Sequence, residues 1–403
     1  MNIYKVGGAV RDRLLGRAVK DCDWVVVGGS AEALLAAGYR QVGQDFPVFL
    51  HPQTQEEYAL ARTERKRGTG YRGFDVDASA AVTLEEDLAR RDLTINAMAE
   101  DASGAIIDPY GGQADLAAGI LRHVTAAFVE DPLRVLRVAR FAARFGFPVA
   151  PDTMTLMRTL SASGELATLP PERLWRELER ALTEPFPWRF VEVLRECGAL
   201  AALLPEIDAL FGVPQPPQHH PEIDCGEHLL LTLRQAALLG ASPAVCYAVL
   251  LHDLGKAETP AEYLPGHRGH HEASARLAEA VSRRLRAPQA FRELAVLVAR
   301  HHVTVHQALA LRPGTLVDLL EKLDAFRRPE RFEEVLLACL IDATGRGGKA
   351  DSPYPQAERL RQAFAVLRAQ DLQAVIAAAG GGAAVKDAIR AARITRLQEL
   401  PSP

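Results

Sequence analysis

The sequence has few cysteines, no long apolar run and no excess of positive charge, and each absence excludes something. Its five cysteines (Cys22, Cys197, Cys225, Cys246 and Cys339) are odd in number and scattered, with no CxxC pair. That excludes a disulfide framework and a zinc ribbon, and leaves buried thiols in a reducing compartment as the expectation. Arg and Asp interrupt the opening MNIYKVGGAVRDRLLG, so neither a signal peptide nor a spanning helix of about 20 apolar residues is expected, and a cytoplasmic protein without a membrane partner is the default. The 47 Lys and Arg against 51 Asp and Glu leave a net charge of −4, which taken alone argues against a nucleic-acid partner. There is no internal repeat. What is present is an ordinary globular composition of 403 residues, 48% hydrophobic and 24% charged, long enough for several cores.

Residues 1–110 mix short β-type runs at 3–6, 24–27, 47–50, 57–61 and 106–108 with Gly-rich turns and helices, an α+β pattern. From about 120 onward helical windows take over, among them 133–145, 171–182, 188–197, 228–239, 273–286 and 329–341. The Pro-rich stretch 212–221 reads as a boundary, and a second helical module is expected from about 222.

Two constellations stand out in the first half. Gly7-Gly8-Ala9-Val10-Arg11-Asp12 lies where a β-run passes into a helix. Glycines there let backbone N–H groups approach a phosphate, with Arg11 as a charged fork, although a plain tight turn reads the same way. Thirteen residues past Gly8 come Asp21-Cys22-Asp23 and an apolar run. In a strand that spacing puts Asp21 and Asp23 on one face, able to share hard cations such as Mg²⁺, unless the pair is only a solvated turn. Further on, Thr83-Leu84-Glu85-Glu86 is a capping-box pattern, so a helix is expected to start there and run toward Arg91 and Asn96. Asp131-Pro132 looks like another helix start, and beyond it Arg134, Arg137, Arg140 and Arg144 recur on one helical side. Four like charges on one face need a polyanion or carboxylates opposite them.

The run GGAVRDRLLGRAVKDCDWVVVG resembles the signature of the class II tRNA nucleotidyltransferase and bacterial poly(A) polymerase family, within the DNA polymerase β superfamily. Arg90-Arg91-Asp92-Leu93-Thr94-Ile95-Asn96 resembles that family's ribose- and triphosphate-binding motif. Glu130-Asp131-Pro132-Leu133-Arg134 resembles its base-selecting motif, and Pro171-Glu172-Arg173-Leu174-Trp175-Arg176-Glu177 a later helical one. The resemblance implies Asp21 and Asp23 as catalytic Mg²⁺ ligands. It also implies a nucleotide site of Gly8, Arg11, Arg91, Asp131, Arg134, Arg137 and Arg140, with ATP, CTP and tRNA as partners. Asp131 and Arg134 would act as a protein template for the base. Cytosine and adenine offer an exocyclic donor beside a ring acceptor, which a carboxylate and a guanidinium match, whereas uracil and guanine do not. Glu57 matches a family strand glutamate and is either a third carboxylate or an exposed edge residue. The stretch 62–73 has a local net charge of +4 and reads as a basic loop, near substrate or simply at the surface.

In the second half, His252-Asp253-Leu254-Gly255-Lys256 follows an apolar helix and lies 24 residues after His228. With His270, His271, His302 and Asp324 it resembles the HD phosphohydrolase superfamily. His228, His252 and Asp253 are the expected ligands of a divalent transition metal such as Ni²⁺, and Asp324 the expected fourth, with Asp342 the alternative. His219 and His220 are not expected to be ligands. A degenerate site whose groups merely satisfy one another is the other reading.

The expected architecture is a nucleotidyltransferase head over 1–120, a helical neck and body over 121–221, an all-α HD domain over 222–330 and a helical tail over 331–403. The implied activity is untemplated addition of C, C and A to tRNA 3′ ends. The HD domain would add phosphatase, 2′-nucleotidase and 2′,3′-cyclic phosphodiesterase activity, and a monomer or weak homo-oligomer is expected. The alternatives are a poly(A) polymerase and an HD-domain nucleotide-binding protein with an inactive first half.

Overall fold

Alternation along residues 24–27 sends Val25 and Val26 to opposite faces of one strand, and this divides the core of the first half in two. Val25 packs with Val6, Ala61, Leu88 and Ala99, and Val26 with Leu34, Phe49, Tyr58 and Leu60. The structure, a computed structural model, describes residues 1–19, 21–42, 48–66, 74–218 and 220–399. The chain forms two compact units, one of Met1–Ala181 with Arg189–Leu203, the other of Leu182–Trp188 with Leu204–Pro403.

The strands are β1 (Asn2–Val6), β2 (Asp23–Val27), β3 (Arg40–Val42), β4 (Val48–Leu50), β5 (Glu57–Leu60), β6 (Thr63–Lys66), β7 (Phe74–Asp77), β8 (Ala99–Glu100) and β9 (Ile106–Ile107). Seven of them make a mixed sheet in the order β3-β4-β5-β2-β1-β8-β9, in which β2 and β5 are parallel. The other two, β6 and β7, pair as an antiparallel ribbon. The basic stretch expected as a loop therefore opens as a strand, while residues 67–73 lie outside the described residues.

The helices up to residue 203 are α1 (Gly8–Leu14), α2 (Ala31–Ala36), α3 (Leu84–Ala89), α4 (Gly112–Ala118), α5 (Leu133–Phe145), α6 (Pro151–Ala162), α7 (Pro171–Leu182), α8 (Pro187–Glu196) and α9 (Ala199–Leu203). Helix α3 starts with the expected capping box, in which Thr83 Oγ1 accepts from the Glu86 amide at 3.2 Å and Glu86 Oε2 accepts from the Thr83 amide at 2.9 Å. It stops at Ala89, well short of Asn96. Asp92 explains the stop, because its Oδ1 accepts from the Leu93 amide and from Asn96 Nδ2, local bonds that compete with the helical ladder.

Helix α5 is buried along Val135, Leu136, Val138, Ala139 and Ala142, and three of its four arginines meet carboxylates. Arg137 bonds Asp92 at 2.7 Å, Arg140 bonds Glu177 on α7 at 2.6 Å, and Arg144 bonds Asp12 at 2.7 Å. The Arg140–Glu177 pair is buried on both sides. Removing one partner strands the other charge, so Arg140→Ala is expected to lower the unfolding free energy by about 3–5 kcal/mol in urea titrations. The double change Arg140→Met with Glu177→Leu is expected to recover most of that loss.

The second unit is helical: α10 (Pro205–Asp208), α11 (Cys225–Leu238), α12 (Pro243–Leu251), α13 (His270–Arg284), α14 (Gln289–His306), α15 (Pro313–Lys322), α16 (Pro329–Thr344), α17 (Pro355–Arg368), α18 (Gln373–Ala378) and α19 (Ala383–Gln398). Helix α12 is apolar all round, is buried from Val245 to Leu251, and packs against α11, α14 and α16. The tail is docked, with α19 against α15 and α17, Leu397 buried, and Arg390 bonded to Asp318 at 2.7 Å. Among the described residues no helix is long and apolar enough to cross a membrane.

Candidate functional site

In the first unit, acidic residues gather at one end of the sheet. Asp23 opens β2, where it stands opposite Val6 at the end of β1 and level with Glu57 at the start of β5. Strand partners share a face, so Glu57 lies on the Asp23 side, while Asp21 just precedes the strand. Asp23 is open to solvent, yet the protein packed about its carboxyl group raises its pKa. Asp21 adds to the rise and Arg91 opposes it. Like charges crowded in this way are relieved by a shared cation, and hard carboxylate oxygens suit Mg²⁺, although among the described residues Asp21, Asp23 and Glu57 do not converge as a three-carboxylate group.

The Gly7-Gly8 turn adjoins these carboxylates. Gly7 has φ +68°, a conformation that favours glycine, and the turn passes under the Arg91 guanidinium, whose Nη1 stands 2.8 Å from where a Cβ would be. Arg91 is held by the buried Asp87 at 3.2 Å, which also takes Arg90 at 2.7 Å. The arginines thus pair with a buried acid rather than with residues on a solvated face.

Arg11 corrects an expectation. Its guanidinium is buried, donates to Asn96 Oδ1 and Asp12 Oδ1, and lies over the Phe141 and Phe145 rings, so it braces the turn instead of projecting toward a phosphate. Arg137 and Arg140 carry the carboxylate partners already described. Arg134 donates to the carbonyls of Ala127 and Arg90, and Asp131 Oδ1 accepts from the Leu133 amide at 3.0 Å. Asp131 and Arg134 thus lie within one turn at the start of α5.

The second unit brings together a denser cluster. His252 caps α12 and Asp253 follows it; Gly255 lets this turn press on α13, since a Cβ there would meet the His270 carbonyl at 2.3 Å. His228 from α11, His252 and Asp342 from α16 form one group, and Asp253, His270 from α13 and His302 from α14 form another. Within each group the donor atoms lie within 4.8 Å of one another.

Asp324 is not among them. It sits past the end of α15 with φ +55° and bonds Arg331 at 3.1 Å, so the fourth ligand expected from sequence is replaced by Asp342. A signal for Asp342 was present: with Phe332, Val335, Leu336 and Cys339 it falls on the buried stripe of α16, where a carboxylate requires partners. His220, not expected to be a ligand, forms a third such group with Glu222 and His228, bonding Glu222 at 3.1 Å, with Glu222 2.9 Å from His228 Nδ1, whereas His219 lies outside the described residues. His271 belongs to none of the three groups. Sequence reading missed Glu222, His306 and Tyr354, which share no motif with the ligands.

Tautomers show what the cluster accepts. His252, His270 and His302 each bond a backbone carbonyl through Nδ1, to Val249 at 2.7 Å, His267 at 2.7 Å and Ala299 at 3.0 Å. A carbonyl only accepts, so each Nδ1 carries a proton, and in the neutral ring each Nε2 is left as a lone pair available to a metal. His270 and His302 Nε2 are 3.2 Å apart, and Asp253 Oδ1 is buried without a hydrogen-bond partner at 3.2 Å and 3.4 Å from them. Converging imidazole lone pairs and carboxylate oxygens fit a divalent transition metal.

Without metal the same atoms respond to pH. Burial lowers His302 to about 4; against its burial, Asp253 and Asp342 raise His252 to about 10. The unfolded chain takes up the His302 proton near pH 6.5, so stability of the chelated protein from this group is expected to fall as pH drops from about 6.5 to 4. The His252 contribution is complete below about 6.5 and fades as pH rises toward 10. Urea midpoints across pH in chelator check both slopes.

The family described as poly A polymerase head domain matches residues 3–122, that described as a probable RNA and SrmB-binding site of polymerase A matches 146–211, and the HD domain matches 225–346. A protein of Nitrosococcus oceani called multifunctional CCA protein is 59% identical over 99% of this chain and 98% of its own length. One of the same name from Halorhodospira halophila is 60% identical over 100% and 98%. The crystal structure of the Bacillus stearothermophilus CCA-adding enzyme in complex with CTP is similar with TM-score 0.65 and 27% identity, over 100% of this chain and 90% of that one.

Proposed function

Because the chain belongs to the multifunctional CCA protein family, we propose that its first unit adds C, C and A to the 3′ end of tRNA from CTP and ATP, without a nucleic-acid template and with release of pyrophosphate. The observation that carries this is the placement of Asp23 level with Glu57, beside a glycine turn that passes under Arg91. Asp21 and Asp23 would hold Mg²⁺, with Glu57 as the third carboxylate. Bound there, Mg²⁺ activates the tRNA 3′-hydroxyl and steadies the leaving pyrophosphate. Arg91, oriented by Asp87, binds triphosphate oxygens, and Gly8 keeps the backbone open to them. Arg137, Arg140 and Arg11 support that surface from beneath through Asp92, Glu177 and Asn96.

Asp131 and Arg134 select the base. A carboxylate accepts from the exocyclic amine of cytosine or adenine while the guanidinium donates to the ring nitrogen. Both side chains hold backbone groups in this structure, so engaging a base exchanges one of those bonds for the nucleotide edge.

The second unit is read as a metal-dependent phosphohydrolase for damaged tRNA ends, with phosphatase, 2′-nucleotidase and 2′,3′-cyclic phosphodiesterase activity. His228, His252 and Asp342 would hold one divalent ion, Ni²⁺ suiting this imidazole-rich set, and Asp253 with His270 and His302 a second. Such an ion polarises a phosphoryl oxygen and supplies hydroxide near neutral pH. Lys256, 2.7 Å from Asp253 Oδ2, fixes the orientation of that carboxylate.

The test is to incubate the protein with Mg²⁺ and a tRNA transcript lacking CCA, supplying CTP and ATP singly and together. Extension by three nucleotides with both is expected. No extension would overturn the reading, and a long adenosine ladder from ATP alone would assign a poly(A) polymerase instead.

A further inference from the structure

We infer that Tyr354 and His306 are positioning residues of the second unit's metal centre, linked in a chain in which the Tyr354 hydroxyl donates to His306 Nδ1 and His306 Nε2–H donates to Asp342 Oδ2. The inference rests on the metal reading of that unit and extends it to residues beyond 346, where the match to the HD domain ends.

Asp342 is buried, and its two oxygens face different neighbours. Oδ1 lies 3.0 Å from His228 Nε2 and 3.7 Å from His252 Nε2, inside the metal group. Oδ2 lies 2.6 Å from Nε2 of His306, the last residue of α14. The other ring nitrogen, Nδ1, is 2.7 Å from the hydroxyl of Tyr354, which stands just ahead of α17. A carboxylate only accepts, so the proton of this contact sits on Nε2; in the neutral ring Nδ1 is then a lone pair, and the phenol must donate to it.

The consequence is geometric. A free carboxylate turns about its χ2 and can present either oxygen or both. With Oδ2 held by His306, Asp342 offers Oδ1 alone to the metal. Hydrogen-bonded partners behind a ligating carboxylate typically change metal affinity 10–100-fold when removed. The tail that follows the HD match therefore does more than cover a helix: it supplies the far end of the chain that aims a ligand.

The experiment uses the full-length protein stripped with chelator and titrated with Co²⁺ alone, reading affinity by calorimetry and the visible d–d absorption of the bound ion. Tyr354→Phe keeps the ring and removes only the donor; about 10-fold weaker binding and an altered absorption band are expected. His306→Ala is expected to weaken binding by about 10–100-fold, and His306→Gln, whose amide can still donate to Asp342, to recover most of that loss. In the His306→Ala background Tyr354→Phe should cause no further change, because the tyrosine acts through the histidine. Binding and absorption like those of the unaltered protein in both Tyr354→Phe and His306→Ala would overturn the inference. So would a His306→Gln as weak as His306→Ala, which would make His306 a ligand. If Tyr354→Phe fails to fold, the Gln and Ala pair at 306 decides the same question. Failure of the unaltered protein to bind Co²⁺ would remove the metal reading as well, so the two failures are distinguishable.

Discussion

Asp23→Asn is expected to lower extension of a tRNA lacking CCA by at least about 10³-fold, equivalent to roughly 4 kcal/mol of transition-state stabilisation. Asparagine keeps the shape and the strand but removes the charge. Asp23 is fixed by β1 on one side and β5 on the other, with Asp21 outside the strand and Arg91 across from it. Its pKa is already raised by the protein around it and by Asp21, so the side chain gains more from a cation than an isolated aspartate does. Neutralising it also frees Arg91 from part of its local compensation, which should leave triphosphate binding intact while the chemical step fails. The expected pattern is therefore a collapse of the single-turnover rate with little change in CTP affinity and an unchanged unfolding midpoint. Hydrolysis of 2′,3′-cyclic nucleotides should continue, because the histidine and aspartate ligands proposed for it all belong to the second unit. Retention of more than about a tenth of the extension rate would remove Asp23 from the metal role.

The parts of this arrangement that could be read from the sequence are those whose cause is local. The capping box at Thr83, the glycine turn before α1 and the unbroken apolar run of α12 each act within a few residues, and each element forms where those residues place it. The parts that could not be read depend on partners far along the chain. The arginines of α5 are spaced like a polyanion-binding face, yet three of them end on Asp92, Glu177 and Asp12, separated by 45, 37 and 132 residues. Arg11 has the right position for a phosphate contact, and only the packing of Phe141 and Phe145 shows that its guanidinium is covered. Likewise Tyr354 and His306 stand 48 residues apart with nothing in the sequence to connect them. The stretch 212–221 looks like a linker because it is rich in proline, but Gln215 in it bonds Lys256, beside the histidine–aspartate cluster, at 2.9 Å.

The choice between Asp324 and Asp342 yields the second large effect. Asp342→Asn is expected to reduce metal-dependent hydrolysis of 2′,3′-cyclic nucleotides by at least about 100-fold and to abolish tight Co²⁺ or Ni²⁺ binding, whereas Asp324→Asn should leave both within about twofold. The two residues are eighteen positions apart, and the sequence favours Asp324 over Asp342 as the last ligand of an HD site, but their surroundings differ in kind. Asp324 is partly exposed and already neutralised by Arg331, with Arg327 and Arg328 nearby, so its charge is matched at the surface. Asp342 is buried among imidazoles from α11, α12 and α14, which hold its pKa well below the ordinary carboxylate range despite burial. A buried carboxylate is stable only with a cation or N–H donors facing it, and Asp342 has Arg346 3.4 Å from Oδ1 and the Nε2–H of His306 at Oδ2. In the chelated protein a protonated His252 adds to these; once a metal takes its place that proton is released, so binding should strengthen as pH rises through the neutral range. Asp342→Asn removes the second of the two charges, after Asp253, that hold the His252 proton, so its residual metal binding should lose part of its pH dependence. If Asp342→Asn binds Co²⁺ as the unaltered protein does while Asp324→Asn does not, the ligand set drawn from the buried stripe of α16 is wrong and the site lies at the end of α15.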